Sequence, residues 1–230
     1  MSDSNVLSCK IVLLGESGVG KTCIISRYIN QVFEGNTIST NGASYASKTL
    51  KFEDYDKSLK VEIWDTAGQE KYRSLTKIFF KDATAAILVY DITRKQSFDE
   101  IKNYWYKQLI ECAPSDIVVG LAGNKADLFD REQVNEDDAK AFAKEIKAIF
   151  KPTSAMTAIG IDDLFDAVGK KILDPNYVED DIEPEPQPEP TPKKKEDNSD
   201  TNGKGKRIKL DDNNKEPKNK EKCCGNKKEE

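Results

Sequence analysis

Gly15-Glu16-Ser17-Gly18-Val19-Gly20-Lys21-Thr22 places glycines, a lysine and a hydroxyl at the spacing G-x-x-x-x-G-K-[ST]. Residues of these types at this spacing can wrap a polyphosphate. Glycine allows backbone dihedrals that aim several N–H groups inward and bring the chain close to an anion. Lys21 can place its ammonium on the outer phosphates, and the Thr22 hydroxyl can reach a magnesium ion. Ser17, Gly18, Val19, Gly20, Lys21, Thr22 and Cys23 are therefore candidate nucleotide contacts.

A strand and a helix must hold such a loop. Cys9 to Leu14 is an apolar run of buried-strand character, and Thr22 to Asn30 carries Ile24, Ile25 and Tyr28 at helical spacing. A strand, a glycine loop and a helix N-terminus form an anion site. Gln31 to Gly42 is polar and reads as a long loop, of the kind that is functional or disordered. Ser44 to Phe52 and Leu59 to Asp65 read as a hairpin turning at Asp54 to Lys57. A short helix near Leu75 to Phe80 and a strand at Ala85 to Tyr90 follow. A helix from about Gln96 to Cys112 has Phe98, Ile101, Trp105 and Leu109 on one face. A strand at Ile117 to Leu121, a helix at Glu136 to Ile149, a brief strand into Pro152 and a helix at Ile161 to Leu173 complete the domain. Alternating strands and helices imply a mostly parallel sheet covered on both faces, an α/β fold.

The composition changes past Pro175. Glu183 to Pro190 alternates proline with polar residues, which favours extended polyproline conformation. From Lys193 onward the chain is Lys, Asp, Glu and Asn with almost nothing apolar, so it is expected to be disordered. The predicted division is a domain over residues 1–174 and a tail over 175–230.

Further segments fall where a nucleotide switch needs them: Trp64-Asp65-Thr66-Ala67-Gly68-Gln69-Glu70, Asn124-Lys125-Ala126-Asp127 and Thr153-Ser154-Ala155. With the phosphate loop, they make the chain resemble a small GTPase of the Ras superfamily over roughly Cys9 to Leu173. Val61-Glu62-Ile63-Trp64, Lys71 to Thr76, Phe79 to Ala83 and Leu88 to Thr93 make it most similar to the Rab family. The resemblance implies a P-loop NTPase small G domain, with a mostly parallel six-stranded sheet flanked by helices and a disordered C-terminal tail.

The resemblance also implies roles. Asp65 holds magnesium through its water shell, Thr22 binds the ion, and Thr40 joins them in the GTP state. The Gly68 N–H senses the γ-phosphate, Gln69 orients the attacking water and Lys21 stabilises charge on the phosphates. Thr40 is chosen over Thr37, Ser39 and Ser44 because Thr40 to Tyr45 fits the Rab pattern, with Asn41 where the family usually has Ile. Phe33 matches the aromatic that packs on guanine. In Asn124-Lys125-Ala126-Asp127, the Asp127 carboxylate can accept from guanine N1–H and its amine. Adenine lacks that donor pair and would leave a buried charge unpaired. Beside Ser154, the Ala155 N–H corresponds to the contact with guanine O6. Met156 replaces the usual lysine and can cover an aromatic face by dispersion. Tyr45, Trp64 and Phe79 align with the aromatic trio that Rab effectors read.

Cys223 and Cys224 resemble Rab prenylation sites, although Gly225 to Glu230 follow them and no C-a-a-X box is present. The implied protein is a GTP-binding and GTP-hydrolysing switch of vesicle and membrane trafficking. It would sit peripherally on the cytosolic face of an endomembrane through its lipidated tail. Its implied cofactor is Mg2+, with GTP as substrate and GDP as product. An exchange factor, a GTPase-activating protein, a GDP dissociation inhibitor and effectors are its implied partners. The domain supplies no obvious arginine for the transition state, so slow intrinsic turnover is expected, with partners setting the rate.

Composition excludes other classes. The 230 residues carry a net charge of −5, so no global basic field draws the chain to nucleic acid. There is no histidine, which removes imidazole catalysis and histidine metal sites. Of the five cysteines, Cys9, Cys23 and Cys112 read as reduced core residues of a cytosolic protein. Met1 to Asn5 shows no signal region and no glycine for myristoylation, and no apolar run is long enough to span a bilayer. Two rival readings use the same loop. One is a nucleotide-binding interaction module with negligible turnover, for which Ser17 and Asn41 leave room. The other is a small-molecule or nucleoside kinase, which should carry an arginine-rich lid where this chain has an ordinary helix after Asp91.

Overall fold

The computed structural model describes residues 6–35, 40, 43–66 and 78–178. Six strands form one sheet: β1 (Val6–Leu14), β2 (Ala43–Phe52), β3 (Lys57–Thr66), β4 (Ala85–Asp91), β5 (Val118–Asn124) and β6 (Ile149–Thr153). Their order is β2-β3-β1-β4-β5-β6, and every neighbouring pair is parallel except the β2–β3 hairpin. The helices are α1 (Lys21–Asn30), α2 (Lys95–Glu100), α3 (Tyr106–Cys112), α4 (Glu136–Glu145) and α5 (Ile161–Leu173). A π-helical turn, Ile101–Trp105, joins α2 to α3.

Parallel neighbours need crossover connections, and helices supply them on both faces. Alternation along β1 divides the core in two. Cys9, Ile11 and Leu13 pack with Ile24, Tyr28, Leu164 and Phe165 beneath α1 and α5. Val12 and Leu14 face the other way, toward Phe98, Ile101, Trp105, Leu109 and Phe142. β4 is buried at every residue, as expected for a central strand covered on both sides.

The fold agrees with the mostly parallel six-stranded expectation, and α5 spans the expected residues. The helix expected over Glu136 to Ile149 ends earlier, at Glu145. Lys147 adopts φ 54°, and the Ala148 N–H returns to the Ala143 carbonyl at 2.8 Å, so the chain turns into β6. β5 runs further than expected, to Asn124, where it pairs with Thr153 on β6 and Asp91 on β4. Contacts divide the chain into units Met1–Ile182 and Glu183–Glu230, and the tail expected over 175–230 lies outside the described residues from 179 onward. No helix among the described residues is long and apolar enough to cross a membrane.

This order sends the chain to one side of β1 through β3 and β2, then to the other through β4, β5 and β6. Ligands of such sheets bind outside the carboxyl ends of the strands, where the direction reverses. β1 there feeds Gly15, β3 ends on Asp65 and Thr66, β4 on Asp91, β5 on Asn124 and β6 on Thr153.

Candidate functional site

Gly15 and Gly20 bracket the loop between β1 and α1 at φ 146° and 99°. A Cβ on Gly15 would lie 2.2 Å from the Val89 carbonyl oxygen, and one on Gly20 would lie 2.3 Å from Asn124 Nδ2. Glycine at these two positions lets the loop lie against β4 and β5. Asn124 Nδ2 donates to the Val19 carbonyl at 2.7 Å, which ties the loop to the end of β5.

Lys21, at the start of α1, is buried, and its Nζ donates to the Gly15 and Glu16 carbonyls at 2.8 and 2.9 Å. Burial pushes its ammonium down to about 8, opposed by Asp65 and Glu16. Beside it, Thr22 Oγ1 lies 2.8 Å from Thr40 Oγ1, and both hydroxyls donate to Asp65 Oδ2, at 2.5 and 3.2 Å. Asp65 Oδ1 is buried with no hydrogen-bond partner. Burial raises the Asp65 carboxyl, and the two threonine hydroxyls and Lys21 hold it back. Hard oxygens clustered beside an orphaned carboxylate atom are the donor set that suits magnesium. Thr22, Thr40 and Asp65 therefore fit the ion.

A cavity of about 390 Å³ opens above the loop. Ser17, Gly18, Gly20, Lys21, Thr22, Cys23 and Thr40 line one part, and Phe33, Asn124, Lys125, Asp127, Ala155 and Met156 the other. Gly35 and Leu128 also line it, and the sequence reading did not single them out. Val19 and Ser154 lie behind the wall. Ser154 Oγ donates to Asp127 Oδ1 at 2.5 Å and accepts from the Thr157 N–H at 3.1 Å, so it aims the carboxylate. Phe33 lines the same cavity and is 38% exposed.

Supporting residues emerge only in three dimensions. Lys125 Nζ reaches Asp91 Oδ2 at 2.5 Å, and Arg94 Nε reaches the same oxygen at 3.2 Å. Arg94 Nη2 then donates to the Ser17 carbonyl at 3.1 Å. The base side and the phosphate side are thus joined through Asp91. Its carboxyl would be raised by burial, but hydrogen bonds from Lys125 and Thr93 hold it below the ordinary value. A Lys–Asp–Arg relay to a backbone carbonyl has no fixed spacing, so sequence alone gave no signal for it.

Tyr45, Trp64 and Phe79 meet on the outer side of the hairpin. Tyr45 sits edge-on to Trp64 at 5.4 Å, and Trp64 lies 5.7 Å from Phe79. Among the described residues, Cys9, Cys23 and Cys112 are in no disulfide. Gly68, Gln69, Asn41, Cys223 and Cys224 lie outside the described residues.

The family model described as the Ras family matches residues 10–174. The chain is 45% identical to Ras-related protein Rab-22A of Homo sapiens over 163 residues, 71% of this chain and 82% of that protein. It is 44% identical to GTP-binding protein ypt5 of Schizosaccharomyces pombe over 164 residues, 71% of this chain and 77% of that protein. Against Ras-related protein RGP2 of Oryza sativa it is 43% identical over 159 residues, 69% and 72% of the two.

Proposed function

The chain belongs to the Ras family as a Rab-type small GTPase, and from that premise we propose how its own residues carry out the switch. It hydrolyses GTP to GDP and acts in membrane trafficking. The observation that carries the assignment of residues is the shared cavity, lined by phosphate-loop and base-loop side chains together.

Backbone N–H groups between Ser17 and Thr22 take the phosphates. Lys21 leaves the Gly15 and Glu16 carbonyls for phosphate oxygens, and the nearby negative charge opposes the lowering that burial imposes on its ammonium. Thr22, Thr40 and Asp65 would hold magnesium, which would supply positive charge against the outer phosphates. Asp127, aimed by Ser154, pairs with the guanine edge; Ala155 N–H meets O6; and Phe33 and Met156 cover the ring. Gln69 orients the attacking water and the Gly68 N–H reads the γ-phosphate. Loss of that phosphate frees Thr40, and this change is the signal. An exchange factor, a GTPase-activating protein, a GDP dissociation inhibitor and effectors act on it as in the family. The Tyr45, Trp64 and Phe79 surface is the effector contact. Lipid on Cys223 and Cys224 holds the protein on the cytosolic face of an endomembrane.

Single-turnover hydrolysis with the full chain tests this mechanism and separates it from a non-hydrolysing module. Wild type should convert bound GTP to bound GDP. Gln69→Leu should bind GTP equally well and turn it over about a hundredfold more slowly, the scale of a misplaced attacking group. Equal rates would remove Gln69 from its role, and no turnover in either protein would favour the module.

A further inference from the structure

Arg27 lies near the C-terminal end of the helix that begins with Lys21 and Thr22. Each nitrogen of its guanidinium donates to a backbone carbonyl. Nε donates to Ala155 O at 2.8 Å, Nη2 to Met156 O at 3.0 Å and Nη1 to Gln31 O at 2.7 Å. Ala155 and Met156 line the cavity together with the phosphate-loop residues. Gln31, at φ 58°, ends α1 and starts the segment that carries Phe33. One side chain therefore gathers both walls of the base pocket and fixes them to the helix that leads to the phosphate loop.

The consequence falls on the Ala155 N–H. The chain before it is held by Ser154 Oγ on Asp127, and the chain after it by Arg27 on the 155 and 156 carbonyls. A planar fork fixes two successive carbonyls in direction as well as distance, which an ammonium cannot do. We propose that Arg27 is a positioning residue for guanine: it aims the Ala155 N–H at the 6-oxo group, sets preference for that group and lengthens nucleotide residence. The proposal rests on the guanine-binding reading given above.

The test uses the full chain with magnesium and compares wild type, Arg27→Ala and Arg27→Lys. Affinities and release rates are measured for GDP, inosine diphosphate, 6-thio-GDP and ADP. The thio analogue keeps the N1–H and amine that Asp127 reads but replaces O6 with sulfur, a poorer acceptor. In Arg27→Ala, GDP release should quicken about tenfold, the effect of losing one charge-assisted hydrogen-bond set. Preference for GDP over the thio analogue should shrink by a similar factor. Preference for GDP over inosine diphosphate should stay, because Asp127 and Ser154 are untouched. Arg27→Lys should fall between the two, and if the alanine variant does not fold, the lysine variant reads the same ratios. Unchanged GDP release, or proportional loss of GDP and the thio analogue, would overturn the positioning role. Wild type that fails to prefer GDP over ADP would instead overturn the guanine reading itself.

Discussion

Asp91 is a buried carboxylate with work on both sides of the site. Lys125 and Arg94 share its Oδ2, and Thr93 gives N–H and O–H to its Oδ1 at 2.9 and 2.7 Å. Asp91→Asn leaves Lys125 and Arg94, which are themselves partly exposed, short of the buried charge they share, which costs about 1 kcal/mol at neutral pH. The sign of its pH dependence follows from the lowered carboxyl. The unfolded chain, at an ordinary value of about 3.9, takes the proton first. The carboxylate therefore contributes its full share above that value and loses it as pH falls through the lower folded one. In urea unfolding, the gap between wild type and Asp91→Asn should hold at neutral pH and narrow below about pH 4. A gap unchanged at low pH would mean that the ion pairs contribute nothing to stability. Asp127 makes a different kind of contact, to the ligand's own edge. Asp127→Asn should weaken GTP and raise relative affinity for XTP, since xanthine carries a carbonyl where guanine has its amine. Competition binding reads this, and an unchanged GTP to XTP ratio would take Asp127 off the base.

Elements were legible where side-chain types repeat with a period, and less so where backbone geometry decides. Phe98, Ile101, Trp105 and Leu109 gave the helix face correctly, and all four are buried. In the overrun of α4, Ala143, Ile146 and Ile149 keep helical spacing in the sequence, and the left-handed turn at Lys147 carries no mark against it. The site divides in the same way. Lys21, Thr22, Asp65, Asn124 and Asp127 were visible because the chemistry fixes their side chains. Arg27 and Arg94 were not, because they bond to carbonyls, which every residue owns, and Arg27 reaches across 128 residues of sequence to Ala155. Packing of α5 on the hairpin was invisible for a related reason. Gly169 lets that helix close on Phe52, and a Cβ there would lie 2.4 Å from the ring. Phe52 is itself buried, so the ring must displace core neighbours to yield. Gly169→Ala should therefore destabilise by about 1–3 kcal/mol, as overpacking does. The contact is remote from the cavity, so GDP release at 25 °C should match wild type. Thermal unfolding and nucleotide release measured on one preparation check both halves, and a Tm equal to wild type would show that α5 shifts freely.

At the scale of the whole molecule, a nucleotide switch matters only where it meets its partners, and the tail sequence supplies the chemistry for that placement. No helix among the described residues is long and apolar enough to cross a membrane. Cys223 and Cys224 stand side by side, with Lys218, Lys220 and Lys222 just before them. Each buried methylene contributes about 0.8 kcal/mol, and one modest chain holds a protein only marginally and reversibly. Two chains on adjacent cysteines make a stable anchor. Lysines close to an anionic surface add roughly 1 kcal/mol each. Gly225 to Glu230 are polar, so on the lipidation proposed above they would have to remain in water beside the chains. Wild type should thus partition to membranes in cells, and the double variant Cys223→Ser with Cys224→Ser should be recovered in the soluble fraction while still binding GTP. Either single variant should be partly released, since one chain alone is marginal. Mass spectrometry of the tail peptide should show the lipid on wild type and on each single variant. Identical fractionation of wild type and double variant, with no added mass on the peptide, would mean that the switch reaches its membrane through a bound partner and not through its own tail.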